Sequence, residues 1–290
     1  MKIAIFGKHF NDSFIAPIQH LFDELERQQI EVVTYAPFQS FLESRIKLPV
    51  HHRFGLREEM ITCDVIISIG GDGTLLDSVT VVRDSEKPIL GINTGRLGFL
   101  SNVSTTEIDE AIQALMQGNY TLDPRMLLEV TSPQKDFGEF NFALNEITIY
   151  KRSSASMIAT HVTVDDRFLN TYWADGLIVS TPTGSTAYSL SCGGPIIMPG
   201  SQNIIFTPIA PHNLNVRPLV VPNDVKIRLS AEGREEDFLL TIDSRAFEIN
   251  AQVEIHLKTA PFKINLINLE HQYFFNTIRK KMMWGADKRN

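Results

Sequence analysis

Three glycines and one acid stand together in Gly70-Gly71-Asp72-Gly73-Thr74, directly after the apolar run Val65-Ile66-Ile67-Ser68-Ile69. A turn built from such residues brings backbone N–H groups close to a phosphate with no Cβ in the way. A carboxylate is repelled by phosphates, so Asp72 is out of place in a site that only binds anions. It makes sense there if it holds a cation, accepts a proton from an attacking hydroxyl, or both. The plain alternative is a strand-to-helix turn with a capping Asp.

Three more segments carry chemistry. Gly91-Ile92-Asn93-Thr94-Gly95-Arg96-Leu97-Gly98-Phe99-Leu100 is a second glycine-spaced loop, and two such loops at one sheet edge favour a phosphate or nucleotide cleft over two separate turns. Asn145-Glu146 interrupts an apolar strand, where a buried amide and carboxylate need partners that a ribose, an adenine edge or neighbouring backbone could supply. The run from Trp173 to Pro195 leads a strand through Thr181-Pro182-Thr183-Gly184 into a short helix expected near Ser185, with Tyr188 placed to stack on a base or to fill a core.

The elements that must position these residues follow from periodicity. Strands are expected at 2–7, Glu31–Tyr35, 64–69 and Pro88–Ile92. Helices are expected over Phe14–Arg27, with Pro17 in the first turn, and after Thr74. That alternation predicts an α/β domain with a parallel sheet whose ligands sit at the carboxyl ends of the strands. From about Arg125 the runs become β-rich, predicting a mainly antiparallel β second domain, with hairpin tips at Asp165-Asp166 and Glu232-Gly233-Arg234. A final helix is expected over Phe275–Trp284, closed by Gly285. The domain assignment is 1–105 for the α/β part and 106–271 for the β part, with a helix in 272–290 packing back on the first.

Composition excludes several classes. The chain has 290 residues, 43% hydrophobic and 21% charged, and a net charge of -7, which argues against nucleic acid as a partner. No apolar run approaches the ~18 residues of a membrane span. The N-terminal residues through Gly7 read as a strand rather than a signal peptide. Cys63 and Cys192, far apart, suit a reducing cytoplasm. His51-His52 stands without metal-ligand spacing, so no protein metal cage is expected. The Gly-x-x-x-x-Gly-Lys-[Ser/Thr] loop is absent.

Taken in order, G-G-D-G-T, N-T-G-x-L-G-F, N-E and D-G-L-x-x-S-T-P-T-G-S-T-A-Y with G-G-P after it resemble the NAD kinase family over nearly the whole chain. The last block is the specific one, since lipid kinases share the first. In those the Asn-Glu pair follows the turn closely, whereas here Asp77-Ser78 does. The resemblance implies transfer of phosphate from ATP to the 2′-hydroxyl of the adenosine ribose of NAD, giving NADP. A non-catalytic dinucleotide sensor would share the pocket without needing Asp72.

The family pattern further implies that Asp72 is the catalytic carboxylate at the reacting hydroxyl, with Gly71, Gly73 and Thr74 at the phosphates and Phe99 flanking the substrate. Asn145 and Glu146 would contact the adenosine, and Asp175, Thr186, Ala187, Tyr188 and Ser191 would line the dinucleotide pocket. Magnesium or another divalent cation would arrive with ATP, and a homo-oligomer, dimer or tetramer, is implied. Where the family often has Asp-Gly-Gln, this chain has Asp243-Ser244-Arg245, leaving the contribution of that turn open.

Overall fold

The computed structural model describes residues 1–48, 52–55, 57–60, 62–95, 98–133, 137–152, 156–234 and 236–284. His51, Arg96, Leu97 and Gly285, all singled out in the sequence, lie outside the described residues. The chain divides into two units, Met1–Pro124 with Ile264–Asn290, and Arg125–Lys263.

In the first unit, strands β1 (Lys2–Gly7), β2 (Glu31–Tyr35), β3 (His52–Phe54), β4 (Val65–Ile69) and β5 (Ile89–Asn93) form a parallel sheet in the order β3-β2-β1-β4-β5. Helices α1 (Ile15–Arg27), α2 (Ala36–Leu42), α3 (Arg57–Met60), α4 (Asp72–Val82) and α5 (Ile108–Gln117) alternate with the strands or follow them. Helix α1 buries Ile18, Leu21, Phe22 and Leu25 against Ile3, Ile5 and Ile67, as their helical spacing requires. Ile69 of β4 is in register with Ile92 of β5, so the glycine turn and the second loop leave the sheet side by side at its carboxyl edge. Helix α4 starts at Asp72 rather than after Thr74, with Gly71 at its N-cap. The C-terminal helix runs over Phe274–Met282.

The second unit is an antiparallel β-sandwich. One sheet pairs Ile158–Val164 with Arg167–Ala174 and with Ile227–Glu232, which in turn pairs with Ile255–Leu257 of the strand Ile255–Leu269. The other has the order Leu219–Pro222, Asn203–Ile209, Gly176–Ser180, Glu146–Lys151, Asp237–Ile242, Arg245–Asn250. Their inner faces meet in one core that includes Val162, Leu229 and Leu257 from the first sheet and Ile147, Val179, Phe206 and Leu240 from the second. Asp165-Asp166 is a hairpin tip, both residues at positive φ. Glu232-Gly233-Arg234 is not: the strands on either side of it belong to different sheets, so the segment crosses from one to the other. The short run 227–232 pairs with strands far away in sequence, which turn residues cannot reveal.

Candidate active site

In the first unit the glycine turn is completed by its neighbour. The Asp72 carboxylate accepts three consecutive backbone N–H groups, Phe99 at 2.8 Å on Oδ2, and Leu100 at 3.1 Å and Ser101 at 2.9 Å on Oδ1. The acid therefore does not cap its own helix; it fastens the second glycine loop to the first. Gly98 permits this, since a Cβ there would lie 1.7 Å from Asp72 Oδ1. Asn93 braces the same loop: its Oδ1 accepts the Gly95 N–H at 2.7 Å and its Nδ2 donates to the Ser101 carbonyl. Gly71 and Gly73 are exposed, Thr74 is half-buried, and Lys281 of the C-terminal helix sits 4.8 Å over the Phe99 ring.

In the second unit, strand alternation turns Ile147, Ile149 and Val179 into the sandwich core and leaves Glu146, Thr148 and Ser180 on the opposite face. Glu146 and Ser180 are cross-strand partners, so their side chains are neighbours. Glu146 Oε2 and Ser180 Oγ are both buried with no hydrogen-bond partner among the described residues. Buried polar atoms in that state call for a partner, which water or a ligand supplies. Burial, reinforced by repulsion from the Asp243 carboxylate, pushes the Glu146 carboxyl up to about 8, against the opposing pull of the Tyr188 backbone N–H that donates to it. At neutral pH Glu146 is a protonated acid able to donate as well as accept.

The turn that carries Asn145 is bonded on every side. Leu144, Asn145 and Glu146 donate their N–H groups to the Asp243 carboxylate at 2.9, 2.8 and 3.2 Å. Their carbonyls are taken by Thr181 Oγ1, Thr181 N–H and Asp243 N–H in turn. Gly184 packs so closely that a Cβ would meet the Asn145 carbonyl oxygen at 2.1 Å.

The remaining expected residues divide. Tyr188 is 42% exposed and lies within electrostatic reach of both Glu146 and Asp175. The Asp175 carboxylate is held 2.6 Å from Lys151 Nζ just before the strand Gly176–Ser180, five residues or about 17 Å from Ser180. Thr186 spends its hydroxyl on the Thr183 carbonyl, Ala187 is half-buried, and Ser191 is exposed. The short helix begins at Tyr188, preceded by a 3-10 turn over Gly184–Thr186. Sequence reasoning passed over Asn93, Lys151 and Thr181. Of these only Asn93 carried a signal, an Asn two residues before a loop glycine, the spacing of a side chain that mimics a backbone turn.

A family model for the ATP-NAD kinase N-terminal domain matches residues 18–120, and one for the ATP-NAD kinase C-terminal domain matches residues 144–269. A Cytophaga hutchinsonii protein named NAD kinase is 44% identical over 292 residues, covering 100% of both chains, and a Bacteroides fragilis one is 44% identical over 289 residues at the same coverage. The crystal structure of yeast NADH kinase complexed with NADH superposes with a TM-score of 0.88 at 25% identity, covering 99% of this chain and 89% of that one. An Archaeoglobus fulgidus NAD kinase in complex with ATP gives 0.75 at 28% identity, covering 98% and 99%.

Two stability predictions follow from the geometry. Gly98→Ala drives a methyl into the Asp72 carboxylate and is expected to cost about 1–3 kcal/mol, read as a lowered urea midpoint; an unchanged midpoint contradicts the clamp. Glu146 binds its proton more tightly when folded than unfolded, so its contribution to stability falls as pH rises from about 4.5 to about 8. The melting temperature of Glu146→Gln should therefore gain on the parent's steadily across that window. A constant difference would mean that Glu146 ionises normally.

Proposed function

This chain belongs to the ATP-NAD kinase family, and we propose how its residues divide the work of moving the γ-phosphoryl group of ATP onto the 2′-hydroxyl of the adenosine ribose of NAD, giving NADP. The observation that carries the assignment is the anchored Asp72 at the glycine turn. A carboxylate offers about four acceptor positions. Three are taken by amides, and the one remaining on Oδ2 is the position for the ribose hydroxyl.

Phosphoryl transfer passes through a loose transition state, so alignment and charge neutralisation matter more than early deprotonation. Asp72 is suited to that. Swinging after a departing proton would break its N–H bonds, so it orients the hydroxyl and takes the proton late. The exposed glycines Gly71 and Gly73, with Thr74, face the phosphates, and Phe99 flanks the substrate while its N–H holds Asp72.

Asn145 and Glu146 take the adenosine. A protonated Glu146 donates its O–H to a ribose or adenine acceptor, which supplies the partner that Oε2 lacks. Tyr188 offers an aromatic face, and Asp175, Thr186, Ala187 and Ser191 complete the pocket.

Among the described residues, no three of His, Cys, Asp and Glu converge to hold a metal. A divalent cation carried on the phosphates of ATP and water would neutralise phosphate charge, with Asp72 the acid of the phosphate turn beside it. The free thiols Cys63 and Cys192 fit a reducing cytoplasm, and among the described residues no helix is long and apolar enough to cross a membrane. Self-association is supported by apolar side chains exposed on the second unit, among them Phe168 and Leu214.

The test incubates purified protein with ATP, magnesium and NAD and reads NADP with a specific dehydrogenase. Asp72→Asn should lower kcat by about 10²- to 10⁴-fold while NAD still binds, and an undiminished kcat would remove Asp72 from the chemistry. In the parent protein KM for NAD should rise as pH passes about 8, where Glu146 loses its proton. Glu146→Gln, which keeps a donor, should abolish that rise; a rise that persists in the variant assigns the titration to another group.

A further inference from the structure

Asp243-Ser244 is the two-residue turn of the hairpin between Asp237–Ile242 and Arg245–Asn250, and Asp243 has φ +51, the left-handed conformation such turns require and Asp tolerates. Its carboxyl is almost wholly buried and pushed above the usual carboxylate range by that burial, against the pull of the backbone N–H groups it accepts and of the Arg245 charge. Arg245, two residues on, donates from Nε to the Ile242 carbonyl at 3.1 Å and from its other end to the Phe142 carbonyl. The bond to Phe142, together with those that the Asp243 carboxylate accepts, serves the short segment 142–146, on which Asn145 and Glu146 stand.

We propose that Asp243 is a positioning residue for the dinucleotide: by accepting the N–H groups of Leu144, Asn145 and Glu146 and returning its own N–H to Glu146, it sets where Asn145 and Glu146 present themselves to NAD, with Arg245 tying the same turn down. The inference rests on the assignment of Asn145 and Glu146 to the adenosine. No group of Asp243 needs to touch the substrate. The Asp243-Ser244-Arg245 sequence thus keeps the acid of the family's frequent Asp-Gly-Gln and, in place of its amide side chain, uses a guanidinium that reaches Phe142.

Asp243 acts on Glu146 in a second way, as the charge that raises its proton affinity. The other titratable groups facing Glu146 are Tyr188 and Cys192, both pushed upward by burial and so neutral through about pH 8. Burial is the main cause of that raised affinity and the Asp243 charge adds to it, so replacing Asp243 should lower the titration midpoint of Glu146.

The experiment measures kcat, KM for NAD and KM for ATP across pH in the full-length protein. Asp243→Asn keeps the shape but turns an N–H donor toward backbone donors and removes the charge. The expected result is a KM for NAD raised about 10- to 100-fold, a KM for ATP changed less than about threefold, and a lowered pH midpoint in the NAD profile. A lowered melting temperature with both KM values and the pH midpoint unchanged would overturn the proposal, showing a merely structural acid.

If Asp243→Asn does not fold, Arg245→Gln keeps the carboxylate and loosens only the tie to Phe142. It should raise KM for NAD about two- to tenfold, and no change would count against the proposal. Asn145→Ala separates the two levels. If it raises KM for NAD while Asp243→Asn does not, the clamp alone is wrong; if neither does, the adenosine assignment falls and the clamp falls with it.

Discussion

One interaction recurs at the places where chemistry is expected: a carboxylate accepting three consecutive backbone N–H groups from a loop that has no ladder to satisfy them. Asp72 does this for Phe99, Leu100 and Ser101, and Asp243 for Leu144, Asn145 and Glu146. An irregular loop held near a polyanion has amides pointing inward with nothing to bond, and each left unsatisfied when buried would cost about 1–3 kcal/mol. A single acid meets three of them at once and fixes the loop in one conformation. The close approach this requires explains why glycine stands at 98, and the bonds from Thr181 explain why it stands at 184, where the Thr181–Thr186 segment presses on Asn145.

The two clamps differ in what they deliver. In the first unit the acid itself is presented, anchored, with acceptor capacity to spare for a hydroxyl. In the second the acid stays behind the strand and what is presented is its neighbour. Burial and the adjacent charge of Asp243 keep Glu146 protonated near neutrality, which converts a side chain that normally only accepts into a donor. In the proposed function these two acids take complementary tasks, Asp72 at the phosphoryl transfer and Glu146 as a neutral reader of the nucleoside.

Much of this was legible in the sequence. The parallel strands of the first unit, helix α1 with its buried face, and the juxtaposition of the two glycine loops follow from β-branched runs ending in glycine and from apolar spacing. The α/β plus antiparallel β organisation was legible for the same reason, and the family through the resemblance carried by its ordered motifs. Helix Ile108–Gln117 and strands Asn203–Ile209 and Ile255–Leu269 were not. The last of these supplies residues to both units, and such a strand has no single alternation to read. The crossing at Glu232-Gly233-Arg234 looked like a hairpin because a turn signal does not say which strands it joins. At the site, the residues proposed to meet a ligand stood out by type, whereas Lys151 and Thr181 act through long-range bonds that only the fold creates. Asp243 was visible as an acid in a turn, but its partners lie almost a hundred residues earlier.

The most direct test of the account is a structure with NAD and a non-transferring ATP analogue bound. The adenosine 2′-oxygen should lie about 2.6–3.2 Å from Asp72 Oδ2 with the Phe99, Leu100 and Ser101 N–H bonds intact. A 2′-oxygen held by other groups, with Asp72 still closed on its loop and out of reach, would contradict it.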